Sequence, residues 1–452
     1  MAESKPPPPA TGNASVAAPA TAYKASTPNR ALRMMGLPNL PKKLPSRNWM
    51  IFWTLAGSLS AAIIYDKREK KRATARWARA VSHIAKEPIS SPSEMPRKLT
   101  IFIESPPTDG LRVAQDHFTE YVKPVLAASG LDWEFVQGRK EGDVRAAVAE
   151  RIRRARDPDA TAGAQTQDEV VNEVRRRNGT PEYTGMRGDI VIGRHTWKEY
   201  VRGLHEGWLG PLTAPAPVIT PEPVSESSTA EETPKEGAAE GEEKTEKPAE
   251  TKPEEEKKPE RPPQPPPYNT TADYPTSSIP MFIPAEFSPS APVQFPHILG
   301  FTNTFIRMGR FLNRRHLADN IGREVAAVCL ATAREYREDV DKSEQATALA
   351  WEEKDWPKSV WKEPKDDADD EKKESPSTAP AEKIWTSPVV LDPRITMRMR
   401  RFEISPADEA RARAIVVPEE EVEGFLKGSL RSLWRWAVTP APKFQTPRVD
   451  DE

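Results

Sequence analysis

The 452-residue chain reads as an α/β protein with a single N-terminal transmembrane helix. A mainly parallel-sheet α/β body follows, interrupted by disordered acidic Pro/Glu-rich inserts. Three observations predict this. Residues 49–65, WMIFWTLAGSLSAAIIY, contain no charged residue and no proline. Beyond residue 97, β-rich runs alternate with helical periods, the pattern of βαβ units and a parallel sheet with helices packed on it. Finally, fourteen glutamates and six lysines crowd residues 221–260, a stretch with too little apolar surface to offset chain ordering.

Residues 1–48 form a basic tail. Glu3 is its only acid, against Lys5, Lys24, Arg30, Arg33, Lys42, Lys43 and Arg47, among many Ala, Ser, Thr and Pro. That composition suits a mitochondrial targeting segment and also an ordinary disordered tail. Pro6 to Pro9 oppose a helix at the extreme end, and residues 29–37 are the part able to form an amphipathic turn. The apolar stretch 49–65 rises ~1.5 Å per residue to about 25 Å, near the lower limit for a bilayer span. Trp49, Trp53 and Tyr65 are the expected membrane anchors, since amphipathic rings favour the headgroup layer. A buried core helix would need neighbours on every side, whereas basic, proline-rich chain flanks this one. Ala56, Gly57, Ser60 and Ala61 permit close helix approach; plain lipid-facing placement is the alternative. Lys67, Arg68, Lys70, Lys71 and Arg72 emerge at the membrane surface and are candidates for lipid headgroups. Positive residues on both flanks leave the orientation undecided by charge. A potential negative inside would draw the short basic side across, which points to an N-terminus in the matrix.

Residues 66–96 read as a basic juxtamembrane helix and linker, with Trp77, Val81 and Ile84 on one side. The first part of the α/β domain, 97–212, opens on a strand at 99–104. A helix over 109–128 follows, capped by Asp109 or Thr108. A second strand spans 132–136. The second helix, 142–156, has Val144, Val148 and Ile152 inward and its arginines outward. After a polar insert come a strand at 189–193 and a helix at 196–209. Residues 213–278 are the disordered acidic linker, with composition shifted most strongly over 213–267. The domain resumes over 279–362. It has an extended apolar run at 280–296, a strand at 297–301 and a long helix at 304–337 broken near Asn313 or Gly322. Trp351, Trp356 and Trp361 suit irregular docking segments. Residues 363–383 form a polar linker. Residues 384–452 close the chain with a strand at 389–404 and a helix at 419–438.

The search for chemistry returns little. No GxGxxG follows the first strand, and P-loop, GxSxG, HExxH and CxxC motifs are absent from the sequence. The six histidines lack metal-ligand spacing. Asp109-Gly110 can present N–H groups to an anion or form a plain cap and turn. His195 falls just past a strand's C-terminal end, where open α/β sheets place ligands. Cys329 is the single cysteine, so no internal disulfide framework exists; its apolar surroundings predict a buried packing residue. Arginine runs such as 151–156, 175–177 and 398–401 read as solvated faces or contacts with anionic lipid. The near-neutral net charge of −2 and poor aromatic interleaving argue against nucleic acid. No cofactor and no small-molecule substrate are expected.

Four segments resemble the fungal Tim-fifty-four family, a subunit of the translocase that inserts carrier proteins into the mitochondrial inner membrane. They are RMMGLPNLPKKLPSRNWMIFWTLAGSLSAAIIYDK (33–67), RKLTIFIESPPTDGLRVAQDHFTEYVKPVLAASGLDWEFVQGRKEGDVRAAVAERIR (97–153), FIRMGRFLNRRHLADNIGREVAAVCLA (305–331) and DPRITMRMRRFE (392–403). The resemblance implies a non-enzymatic, single-span inner-membrane protein with its N-terminus in the matrix and a large domain in the intermembrane space. It implies as partners the channel-forming translocase subunit, the small intermembrane-space chaperones of carrier import, and inner-membrane lipids. A part in assembling an inner-membrane protease complex is also associated with the family. Two rivals remain on the residues alone. One is a membrane-tethered enzyme or nucleotide-binding protein using the Ser105–Gly110 turn and His195. The other is a lipid-binding protein using the juxtamembrane cluster.

Overall fold

A computed structural model describes residues 46–88, 95–157, 167–180, 183, 185–213, 264–338, 343–361 and 382–438. The tail at 1–45, most of the acidic linker and most of the polar linker at 363–383 lie outside these residues. The apolar stretch lies on helix α1, Arg47–Val81. It is the one helix among the described residues long and apolar enough to cross a membrane, by length and composition. The described residues up to Ala61 form one compact unit and those from Ala62 onward another.

The body follows the predicted alternation. Strand β1 is Lys98–Glu104. Helix α2, Leu111–His117, and helix α3, Lys123–Ser129, are joined by a π-turn at Phe118–Val122. Strand β2 is Asp132–Gly138 and helix α4 is Asp143–Arg156. Helix α5, Gln167–Arg177, occupies what the sequence presents as a polar insert. Strand β3, Asp189–Ile192, leads into helix α6, Arg194–Leu209. Strand β4 is Ser290–Val293, helix α7 is Thr304–Phe311 and helix α8 is Arg314–Cys329. Strands β5, Ala333–Glu335, and β6, Arg400–Phe402, are short. Helices α9, Pro406–Ala414, and α10, Phe425–Val438, close the described chain.

The six strands run in the order β2-β1-β3-β4-β6-β5, parallel throughout except for β5 against β6. Alternation along β1 creates two cores. Leu99, Ile101 and Ile103 pack with Trp77, Val125, Ile321 and Val325 on one face. Phe102 packs with Val148, Trp197 and Leu204 on the other. The second face is tight because α6 carries Gly203 and Gly207 toward α4. A Cβ at Gly203 would stand 2.7 Å from the Arg145 carbonyl, and one at Gly207 2.7 Å from Ile152 Cβ.

Several expectations are corrected. The strand expected at 297–301 lies instead at Ser290–Val293. Three prolines at 289–296 disguise it, although Pro292 faces the side where β6 pairs only through Ser290 and Arg401, so its missing N–H interrupts little. The strand expected over 389–404 is confined to Arg400–Phe402, preceded by a helical turn at Pro393–Thr396. The closing helix is split, with a turn at Glu419–Val422 before α10. Residues 264–278, placed by composition in the acidic linker, form a strap over α6. Its 3-10 helix Thr271–Thr276 begins with a reciprocal Thr270/Asp273 capping box, and Tyr274 is buried.

Candidate functional site

Two regions carry the sequence-derived candidates: the exit of α1 and the C-terminal edge of the sheet. Trp49 and Trp53 stack at 6.2 Å on the exposed surface of α1. Ala56, Gly57, Ser60 and Ala61 share one helical face by their spacing, and no atom lies within 4 Å of a Cβ built on Gly57. Tyr65 lies under the Arg315 guanidinium at 5.5 Å, and the next residue, Asp66, is buried and accepts from the Arg315 backbone N–H at 3.2 Å.

The basic cluster divides. Lys67 and Lys71 are exposed one turn apart. Arg68 and Arg72 instead approach Glu419 at 3.6 and 3.9 Å. Lys70 pairs with Glu120 and lies 4.7 Å from the Tyr121 ring centre. Burial, reinforced by the charge of Arg314, holds its ammonium down to about 8.

At the other region, the strand order reverses between β1 and β3, the position where open α/β sheets form ligand crevices. A cleft of about 930 Å³ opens there, lined by Ser105, Asp109, Arg139, Asp143, Pro265 and Trp385 among others. Several backbone donors in and beside it are used by the chain's own carboxylates. Asp109 accepts from the Gly110 N–H at 2.9 Å, so it forms a turn and does not cap α2; Gly110 is the N-cap. Asp143 accepts from the N–H groups of Arg139 and Lys140 at 2.9 and 3.0 Å. Glu199 accepts from Gly142, Val144 and Arg145 at the start of α4, at 2.6, 3.0 and 3.2 Å, and from the Trp385 indole at 3.0 Å. Beneath them Glu104 is fully buried. Burial and the neighbouring charge of Glu199 push its carboxyl well above the ordinary range. Burial also raises Glu199. Neither Glu104 oxygen has a hydrogen-bond partner among the described residues, which favours its neutral form. An incoming phosphate would meet carboxylates where a nucleotide site presents amides.

His195 does lie past the end of β3, but it is buried between Phe295 and Trp385 and directs Nε2 at the Glu104 carbonyl, 3.2 Å away. Burial depresses its pKa to about 4, so it is a neutral packing residue. Cys329 is buried, and burial pushes its thiol up to about 11. Among the described residues no group of three or more His, Cys, Asp or Glu is placed to hold a metal. Sequence reasoning missed the inward arginines. Arg145, expected to face out from its helix, has no exposed side-chain surface and pairs with Glu206. Arg202 reaches the Asn269 side chain at 3.0 Å, and Arg394 binds the carbonyls of Tyr274 and Ser277 at 2.6 and 2.9 Å. The Thr270-x-x-Asp273 capping pattern and the aromatics Tyr268 and Tyr274 are the signals that mark this strap.

Fold and clefts together define a class: an α/β body following one apolar helix, with its own carboxylates bonded to amides at its sheet-edge crevice. The family described as "Inner membrane protein import complex subunit Tim54" matches residues 29–402, and the chain belongs to it. Its members are non-enzymatic import-complex components. The chain is 59% identical over 433 residues to the mitochondrial import inner membrane translocase subunit tim54 of Neurospora crassa, covering 91% of this chain and 89% of that one. It is 45% identical to the Aspergillus oryzae protein of the same description, covering 88% and 93%. To the Aspergillus fumigatus protein it is 42% identical, covering 85% and 93%.

Proposed function

We propose that this chain is a non-catalytic scaffold subunit of the mitochondrial inner-membrane translocase that inserts multispanning carrier proteins. It stabilises the channel-forming subunit and docks the small intermembrane-space chaperones. Residues 49–65 anchor it, with the N-terminus in the matrix and the body in the intermembrane space. The observation that carries this reading is the pairing of one membrane-length helix with a large body in which several crevice amides are bonded to its own carboxylates. Membership of the import-complex family supports it further.

Photo-crosslinkers placed at Ala61 and at the exposed Met281, in intact mitochondria, test it. The expected adducts are a multispanning protein from Ala61 and small soluble proteins from Met281. Protease should reach the body once the outer membrane is ruptured; a body still protected then reverses the proposed orientation. Replacing Gly57 and Ala61 with Leu should weaken complex assembly while leaving membrane insertion intact. Unchanged migration of that variant on native gels removes the packing role and leaves these residues facing lipid.

A further inference from the structure

Helix α7 is almost wholly exposed and strongly two-sided. Arg310 is held against the body: it pairs with Asp355 at 2.7 Å and lies over Trp351 at 5.5 Å. Phe305 and Met308 lie one turn apart on the opposite side. Phe305 is 85% exposed, and Phe301, just ahead of the helix, is 93% exposed. Large apolar groups so fully exposed, so close together in the chain, mark a contact surface. The position of α7 identifies the partner. Its last residue, Phe311, stacks beneath Arg314 at 4.8 Å. The next residue, Arg315, packs on Tyr65 and Asp66, where the apolar stretch of α1 ends. Helix α8 then runs along the body's part of α1, with Gly322 against Trp77, so α7 lies at the end of α8 nearest Tyr65.

A second amphipathic helix follows a turn that touches α1 just beyond Tyr65. Glu419 contacts Arg68 and Arg72 and also takes Lys427 of α10 at 3.4 Å. Leu430, Leu433 and Trp434 are exposed further along α10. Exposed cations, Lys67, Lys71 and Arg307, accompany these apolar groups.

We infer that Phe301, Phe305 and Met308 insert into the bilayer surface beside the point where α1 emerges, with α10 seated on the same surface. The occupant of this face is lipid, and anionic lipid is favoured by Lys67, Lys71 and Arg307. An amphipathic helix with aromatic and basic sides lies in the interfacial plane by the same balance of burial and charge. The inference rests on residues 49–65 crossing the membrane.

The test uses the full chain in phosphatidylcholine vesicles, with and without cardiolipin. A lipid-phase carbene reagent is activated while glutathione scavenges the water phase, and labelled peptides are located by mass spectrometry. Labelling is expected over 49–65 and again over 301–311, the latter increasing with cardiolipin. The double substitution Phe301→Asp and Phe305→Asp, at exposed positions, should abolish the second signal and keep the first. Labelling of 49–65 alone overturns the inference and assigns the phenylalanines to a protein partner or a second copy. Absence of labelling from 49–65 overturns the anchor itself, so the two failures are distinct.

Discussion

Glu206 has no exposed side-chain surface and gathers Arg145, Arg153 and the Tyr268 N–H. Glu206→Ala leaves the Arg145 guanidinium with the Pro265 carbonyl alone and should cost about 3–5 kcal/mol in urea unfolding. Replacing Arg145 and Glu206 together with Met should cost less, because the fully buried Arg145 charge is no longer stranded and only Arg153 and the Tyr268 N–H lose Glu206. Two other buried groups set opposite pH limbs. His205 donates Nδ1–H to the Val201 carbonyl at 2.7 Å and accepts the Asp392 N–H on Nε2 at 3.0 Å. Burial lowers its pKa to about 4, so its neutral form stabilises the fold above the ordinary histidine value. That contribution is lost as pH falls toward 4. Glu352 is buried against the N–H groups of Phe295 and Arg194 and is raised by burial to about 7. Its contribution is present below the ordinary carboxyl value and is lost as pH rises to about 7. Each is worth at most about 3 kcal/mol. His205→Phe should flatten the acid limb of stability against pH, and Glu352→Gln the neutral limb; an unaltered limb in either variant refutes the assignment.

At the scale of elements, α1 and α8 meet through Gly322 and Trp77. A Cβ on Gly322 would stand 2.4 Å from Trp77 Cδ1, and the Trp77 indole donates to Asp319 at 2.7 Å. Gly322→Ala should therefore cost about 1–3 kcal/mol by overpacking, with a lower thermal midpoint in detergent; no change would mean that the indole swings aside freely. The same contact explains why the predicted break in the long helix falls at Asn313. The glycine at 322 serves helix approach within α8, so it does not end the helix. Helices α4, α6 and α8 and strands β1 to β3 were legible because each repeats its apolar period over enough residues to declare itself. Strand β5 falls inside the helix expected over 304–337, and β6 inside the longer strand expected over 389–404; at three residues each they are too short for alternation to fix their bounds. Helix α9 hid behind weak amphipathicity, although Ser405 followed by Pro406 and Asp408 is a start signal, and the Ser405 hydroxyl does accept the Asp408 N–H at 3.2 Å. The inward arginines were illegible for a different reason. Their partners lie on elements distant in sequence, and local periodicity counts an arginine as outward.

Across the whole molecule, the acidic insert leaves and re-enters the body at adjoining points. After α6, a Cβ on Gly210 would lie 3.6 Å from Asn269 Nδ2 of the strap, so the chain between them closes on itself. Composition located the insert and misplaced its end, because the proline-rich run continues into 264–267 before Tyr268 and Tyr274 begin to pack. The Arg145 and Arg202 contacts with Pro265 and Asn269 make the strap a part of the body that the acidic tract is not required to hold. Deleting residues 221–260 leaves ample chain to join neighbouring points. Loop-closure entropy grows slowly with length, so the deletion should raise stability by about 1 kcal/mol or less. The truncated chain should unfold at the same or a slightly higher temperature and migrate with its complex on native gels. A lowered midpoint would mean that the tract packs on the body. An unchanged midpoint with lost co-migration would move a partner contact from the folded surface to the acidic tract.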